Sequence, residues 1–553
     1  MKLNSYSEVK RLTSEMVGIP SINKEPKGET AVAEYVYNYF VDQPYFRKNP
    51  DHVKIFKTKD DFIDRYSTLA YVKGTKGSSD KTVILIGHID TVGVDDFGTI
   101  KEYAFQTEKL PRKLMETFSL SEEVIEDIKS GEYMFGRGAL DMKSGVAGHM
   151  YLMKYFSEHP EELDGNIVQI AECDEEDNSH GIITAVDYLL ELKRTEGFEY
   201  VACINADYST NYMPGDDNRY IYYGSVGKLL PSFVAFGKES HVGSAFNAFD
   251  PNLLIAEITK QMSLNTELCD VSQGEVTMPP ISLKQTDTKV GYTVQTALTA
   301  FSYYNFFTHG ISPNKVLEKS KEIGIRAFNE VIALLNQRYR QYCKLSKIDY
   351  QDLPWKTRVY TWKEFYGEAA EKFGKVFVDD IHEFSTNLQL REPELDLRLY
   401  SLAVIEEVWK WYEDKSPALV LFFGSIFSAR IEMTGKTEKE KVLIDAVEEA
   451  LEKVSPEAKR KIKTRMFYPY ISDSSFMALS DSRESFDTVA ENMPSWKVKY
   501  FHDVDKIMEI NVPVVNIGSF GHDGHMLTER VDMLHTFQNV PNITYETVKR
   551  LLK

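Results

Sequence analysis

Thr82-Val83-Ile84-Leu85-Ile86-Gly87-His88-Ile89-Asp90 is an unbroken apolar run that ends on a histidine and an aspartate. With no alternation of polar and apolar residues, such a run describes a strand covered on both faces, the habit of a parallel sheet. The same form recurs downstream, where Asn166 to Ala171 leads to Glu175 and Tyr200 to Ile204 leads to Asp207. Between these runs, apolar residues from Gly145 to Phe156 and from Ile182 to Leu192 keep helical spacing. The fold class is therefore α/β, with a mostly parallel sheet flanked by helices. Ligands of such sheets bind beyond the carboxyl ends of the strands, and the polar residues of all three runs fall there.

Upstream, Glu8 to Met16 and Thr30 to Phe40 read as helices separated by the break Gly18-Ile19-Pro20-Ser21. Downstream the character changes near Gly224 to Gly227. Strands at Leu229 to Phe236 and Thr293 to Phe301 flank a helix at Pro251 to Met262, and a long helix from Pro313 to Tyr342 precedes a strand at Arg358 to Trp362. This predicts an inserted α+β lid domain. Helical Leu399 to Tyr412 and Glu438 to Lys453, with strands at Ala418 to Phe423 and Val512 to Ile517, return to the earlier style. The expected division is a catalytic domain over 1–225, the insert over 226–365 and the rest of the catalytic domain over 366–553. A chain of 553 residues exceeds what one hydrophobic core organises, in keeping with that division.

A net charge of −19 opposes binding to nucleic acid or an anionic membrane, because phosphates repel such a surface. Cys173, Cys203, Cys269 and Cys343 show no CxxC spacing, which suits a reducing compartment and excludes a thiolate zinc knuckle. The opening MKLNSYSEVKRLTSEM lacks the pattern of a secretory signal, and no apolar stretch reaches the ~18 residues of a membrane span. The expectation is a cytoplasmic protein whose partner is a small molecule.

Several clusters carry chemistry. Strand period two puts His88 and Asp90 on one side, so that one binds a cation while the other orients it. Gly136-Arg137-Gly138-Ala139-Leu140-Asp141-Met142-Lys143-Ser144-Gly145 presents Asp141 on a glycine-punctuated turn, where a carboxylate caps a helix or bridges two metals. No third glycine follows to make it a dinucleotide loop. Asp174-Glu175-Glu176-Asp177 offers adjacent carboxylates, one for a metal and one raised in pKa to move a proton. Asp207 reads as a ligand or as a turn aspartate. In Gly518-Ser519-Phe520-Gly521-His522-Asp523-Gly524-His525-Met526-Leu527-Thr528-Glu529, His525 completes a metal shell, with His522 as the alternative. Mixed nitrogen and oxygen donors suit two divalent ions, zinc first, with cobalt or manganese as substitutes. The aromatic run Phe301, Tyr303, Tyr304, Phe306 and Phe307 reads as core or interface packing.

In this order, HxD, GRGALDMKSG, DEED, NAD and GHxxxE resemble the acetylornithine deacetylase / succinyl-diaminopimelate desuccinylase family of zinc metallopeptidases, and the length and Tyr-rich middle are most similar to its RocB-type arginine-utilisation subgroup. The resemblance implies that Asp141 bridges two metals, that His88 and Asp207 complete one shell and that Glu176 and His525 complete the other. It implies Glu175 as general base, Asp90 as the support of His88, and His241, in Ser240-His241-Val242-Gly243, as the group that polarises the scissile carbonyl, reached across a homodimer interface in the lid. Ala245 and Ala248 replace a proline and a glycine of the family, and Tyr292 and Asn305 stand where relatives grip a substrate carboxylate with asparagine and arginine. The implied reaction is hydrolysis of an amide bond in an N-acyl amino acid, small peptide or arginine-related compound. An aminopeptidase and a catalytically silent amino-acid-binding protein on the same fold are the rivals.

Overall fold

Lys81–His88 forms a strand in which Val83, Ile84, Leu85 and Ile86 are all fully buried. Val83 and Leu85 join one core with Val146, Met150 and Ile543, while Ile84 and Ile86 join another with Ile182, Val186 and Leu189. The alternation is the pleat itself: successive side chains point to opposite faces, and a helix covers each. Each such side chain contributes about 1.5–3 kcal/mol on burial. The helices are Ser144–Glu158 and His180–Thr195, close to the expected spans.

The computed structural model describes residues 2–25 and 27–553, and the chain divides into two units. The first comprises Met1–Val226, Ile431–Ser480 and Asp503–Lys553. Its eight-stranded sheet runs, edge to edge, Val53–Lys57, Tyr66–Lys73, Asn166–Glu172, Lys81–His88, Glu199–Asn205, Val514–Asn516, Arg219–Tyr223 and Ile462–Arg465. The central strands Asn166–Glu172, Lys81–His88, Glu199–Asn205 and Val514–Asn516 are mutually parallel, whereas the edge beginning at Val53 is antiparallel. The sheet is thus mixed, and its parallel part is the centre that the apolar runs identified. A smaller sheet joins Gly521–His522, Arg530–Asp532 and Tyr133–Phe135.

The second unit comprises Gly227–Arg430 and Asp481–His502. Its sheet is built on Pro231–Phe236, which pairs on one side with Thr299–Thr308 and on the other with Ala418–Phe423. The sequence reading closes the insert at 365. Hydrogen bonding carries it to Arg430 instead, because Ala418–Phe423 lies in this sheet, between Pro231–Phe236 and Val359–Thr361. The strand expected at Thr293 to Phe301 runs from Thr299 to Thr308, where Ala300, Phe301, Tyr304 and Phe306 are buried while Val294 and Leu298 are exposed. Most of the aromatic run is therefore core. Trp362–Phe373, Lys375–Arg391 and Leu397–Trp411 add helices whose aromatics stack on the sheet: Phe236 lies 4.3 Å from Trp409 at an interplanar angle of 6°. No helix among the described residues is long and apolar enough to cross a membrane.

Candidate metal centre

Three parallel strands deliver the site. His88 is the last residue of its strand and is opposite Glu172 in register, three residues ahead of Glu175. Asp207 follows the end of Glu199–Asn205 by two residues. Asp141 precedes the helix that begins at Ser144. Two glycines permit this convergence. A Cβ on Gly145 would stand 2.3 Å from the Ala206 carbonyl oxygen, and one on Gly518 would stand 1.7 Å from that of Asp207. Side chains there would push the three segments apart.

The side chains meet around Asp141, which is 5% exposed. Its Oδ1 lies 2.9 Å from His88 Nε2 and its Oδ2 lies 2.8 Å from His525 Nε2. The same His525 nitrogen is 3.0 Å from Glu176 Oε1. A ring nitrogen carries at most one proton, so it cannot serve two carboxylates, and Glu176 Oε1 is left buried without a hydrogen bond. His88, Asp141 and Glu176 present donor atoms that all lie within 4.8 Å of one another. A carboxylate with a histidine at each oxygen and an unsatisfied glutamate beside it is the donor set of a two-cation site, and the residues fit that group.

The electrostatics agree. Burial alone would raise the Asp141 carboxyl, but hydrogen bonds from His525 and His88 hold it well below the usual carboxylate range. Burial would lower His525, yet Asp141 and Glu176 push it up to about 11. Glu175 is raised well above its ordinary value, first by burial and then, against the pull of His88, by Asp473, Glu176 and Asp207. Its Oε2 is 3.9 Å from His88 Nε2. Asp207 is raised to about 7 by burial and by Asp141. So much negative charge, buried with so few cations, is expensive without positive ions among it.

Asp90 is fully buried and its carboxylate is a hub. It accepts from Glu175 N at 3.2 Å, Glu176 N at 3.1 Å and Asn23 Nδ2 at 2.9 Å, and lies 3.5 Å from His88 Nδ1. Between the two candidate histidines, the structure brings His525 to Asp141. His522 sits instead with Glu123 and Asp127 in the small sheet. His241 lies in the second unit, exposed, at the start of the turn Val242–Asn247, with Nδ1 accepting from Gly243 N.

Sequence reasoning missed four contributors. Arg65, 1% exposed, lies 2.6 Å from Asp174 and 2.8 Å from Asp61, behind the Glu175 turn, and no motif marks it. Asp473 is buried beside the same cluster with neither oxygen hydrogen-bonded. Arg137 and Glu529, both buried, pair at 2.6 Å. These last two stand inside quoted motifs, and a charged residue within the otherwise small Gly136 to Ala139 stretch was the available signal.

Comparison with known proteins bears on the whole chain. The profile of peptidase family M20/M25/M40 matches residues 84–505. Protein RocB of Bacillus subtilis (strain 168) is 33% identical over 551 residues, covering 100% of this chain and 96% of that one. Uncharacterized protein YqjN of the same strain is 30% identical over 559 residues, covering 100% and 98%. Among solved structures, the M20 family metallo-carboxypeptidase Sso-CP2 from Sulfolobus solfataricus shares the fold at a TM-score of 0.51 and 12% identity, over 99% of each chain.

Proposed function

This chain belongs to peptidase family M20/M25/M40 and is a hydrolase of amide or peptide bonds, and from that premise we propose that it works with two divalent cations, zinc by preference, on an N-acyl amino acid, small peptide or arginine-related compound. The observation that supports the reading is the pair of contacts at Asp141, one histidine to each carboxylate oxygen, beside the orphaned Glu176 Oε1.

His88 and Asp207 would hold one ion, Glu176 and His525 would hold the other, and Asp141, with a histidine at each oxygen, would be shared between them. When bound, the pair supplies Lewis acidity toward the scissile carbonyl and the attacking water. Glu175, beside His88, keeps its carboxyl in a buried, proton-avid state. It takes a proton from the attacking water as the C–O bond forms, and returns it to the amine nitrogen as the C–N bond breaks. Asp90 fixes the turn that carries Glu175 and Glu176 by accepting both their backbone N–H groups. His241, which the resemblance implies is reached across a homodimer, is the proposed group that stabilises the carbonyl oxygen as it gains charge.

The four cysteines are unpaired, which supports a cytoplasmic location. The strand Ile281–Asp287 is a sheet edge with Ile281 and Leu283 exposed, the kind of edge that a homodimer covers. Elemental analysis of metal-loaded protein, followed by assay of acyl-amino acids, dipeptides and arginine derivatives with zinc, cobalt or manganese, tests the reading. Two ions per chain and turnover of an amide are expected. No ion under any loading condition would refute it, and an absolute need for a free α-amine would make the protein an aminopeptidase.

A further inference from the structure

The segment that carries His525 and the turn that carries Asp141 are far apart in sequence, and a single buried ion pair touches both. Arg137 and Glu529 are each 1% exposed. Arg137 Nη1 donates to Glu529 Oε2 at 2.6 Å, and the other oxygen of Glu529 accepts from Leu140 N at 3.1 Å and Asp141 N at 3.3 Å. On the opposite side, Arg137 Nη2 donates to the His525 carbonyl at 3.3 Å and Nη1 to the Met526 carbonyl at 3.4 Å. Asp96 grips Nη2 through both oxygens at 3.1 Å, and Gly93 O accepts from Nε at 3.1 Å, so the guanidinium plane is fixed from outside the site.

From these contacts we infer that Arg137 and Glu529 are positioning residues that set the separation of Asp141 and His525, and so determine the affinity for the cation held between Asp141, Glu176 and His525. The inference rests on the two-cation reading above. The geometry needs both partners. A forked donor reaches the His525, Met526 and Gly93 carbonyls and the Glu529 and Asp96 carboxylates together, five partners that the three N–H groups of an ammonium on a single stem do not match. His525 needs the help: its side chain is 45% exposed, it sits at φ +64°, and its loop has glycine at 524. A backbone held in that region persists only where its surroundings impose it. Asp141, by contrast, is anchored by the helix that follows it, and His88 by its strand.

The test uses the full-length chain, stripped of metal and titrated with zinc by calorimetry, alongside steady-state kinetics and thermal melting. Arg137→Lys keeps the positive charge opposite Glu529 while losing the fork, and Glu529→Gln keeps the shape and a backbone-accepting oxygen while losing the charge. Both variants are expected to retain one tight ion and to bind the second about 10–100-fold more weakly, the effect of losing partners that orient ligands. kcat should fall in parallel with little change in KM, and added zinc should restore it. A pair that serves stability alone would let Arg137→Lys melt below wild type with both ions bound at wild-type affinity, and that result overturns the inference. Should Glu529→Gln fail to fold, Arg137→Lys decides alone. Wild-type protein that binds no zinc sinks the two-cation reading and this inference together, whereas two ions in wild type and in both variants, equally tight, sink only this one.

Discussion

Glu175 and Glu176 are neighbours in the chain, yet their environments divide them: Glu176 Oε1 faces His525, and Glu175 Oε2 faces His88 from 3.9 Å. Glu175→Gln removes the proton acceptor and leaves every proposed metal donor in place. The expected outcome is full metal content by elemental analysis with kcat lowered about 10²–10⁴-fold; near-normal turnover in a pure variant ends the assignment. Asp90→Asn turns one of the oxygens that accept from Glu175 N and Glu176 N into a donor, setting two N–H groups against each other. Zinc affinity should drop about 10–100-fold by equilibrium dialysis, as for other groups that orient ligands. An unchanged affinity would show that the turn holds itself. At this scale the sequence was informative wherever a polar residue ends an apolar run, as at His88 and Asp207. It did not separate His522 from His525, because both lie in one glycine-rich loop and only the pairing of Gly521–His522 with Arg530–Asp532 turns the first away.

Among the elements, a tight joint lies between the helix Ser144–Glu158 and the end of the strand Glu199–Asn205. Gly145→Ala would place a methyl group against the Ala206 backbone, which cannot yield as a flexible side chain would. A loss of about 1–3 kcal/mol in denaturant unfolding is expected, as for other overpacked sites. Metal content should fall too, since Ala206 adjoins Asp207; wild-type stability would mean that the helix can retreat. The central strands were legible because burial on both faces leaves an unbroken apolar signature. The same signature hid the end of the insert: Ala418–Phe423 is fully buried in its own sheet, and nothing in such a run says which sheet it joins. The exposed edge strand Ile281–Asp287 and the helices Trp362–Phe373 and Lys375–Arg391 escaped for the opposite reason, a diluted pattern, although Thr361 and Glu364 form a capping box.

For the molecule as a whole, acid is the revealing perturbation. His149 is 1% exposed, neither ring nitrogen has a hydrogen bond, and burial pushes its pKa down to about 3. Burial likewise takes His535 down to about 3. In the unfolded chain such imidazoles take up a proton near pH 6.5. Folded-state stability is therefore complete above about 6.5 and is lost as pH falls toward the folded value, by about 1.4 kcal/mol per pH unit for each histidine. His149→Leu should flatten that slope, retaining about 2 kcal/mol more than wild type between pH 7 and pH 5 after its own neutral-pH change is subtracted. Parallel curves for the two proteins would mean that His149 takes up a proton as readily when folded as when unfolded.

The place of Val514–Asn516 between Glu199–Asn205 and Arg219–Tyr223 has a consequence for biosynthesis. Both flanking strands leave the ribosome roughly 290 residues before the one that joins them, a wait of about 15–60 s at ordinary elongation rates. Throughout that interval the nascent polypeptide carries two open backbone edges, the surfaces that chaperones mask and aggregates recruit. A message truncated by some fifty codons would yield most of the mass of this protein and none of its closure.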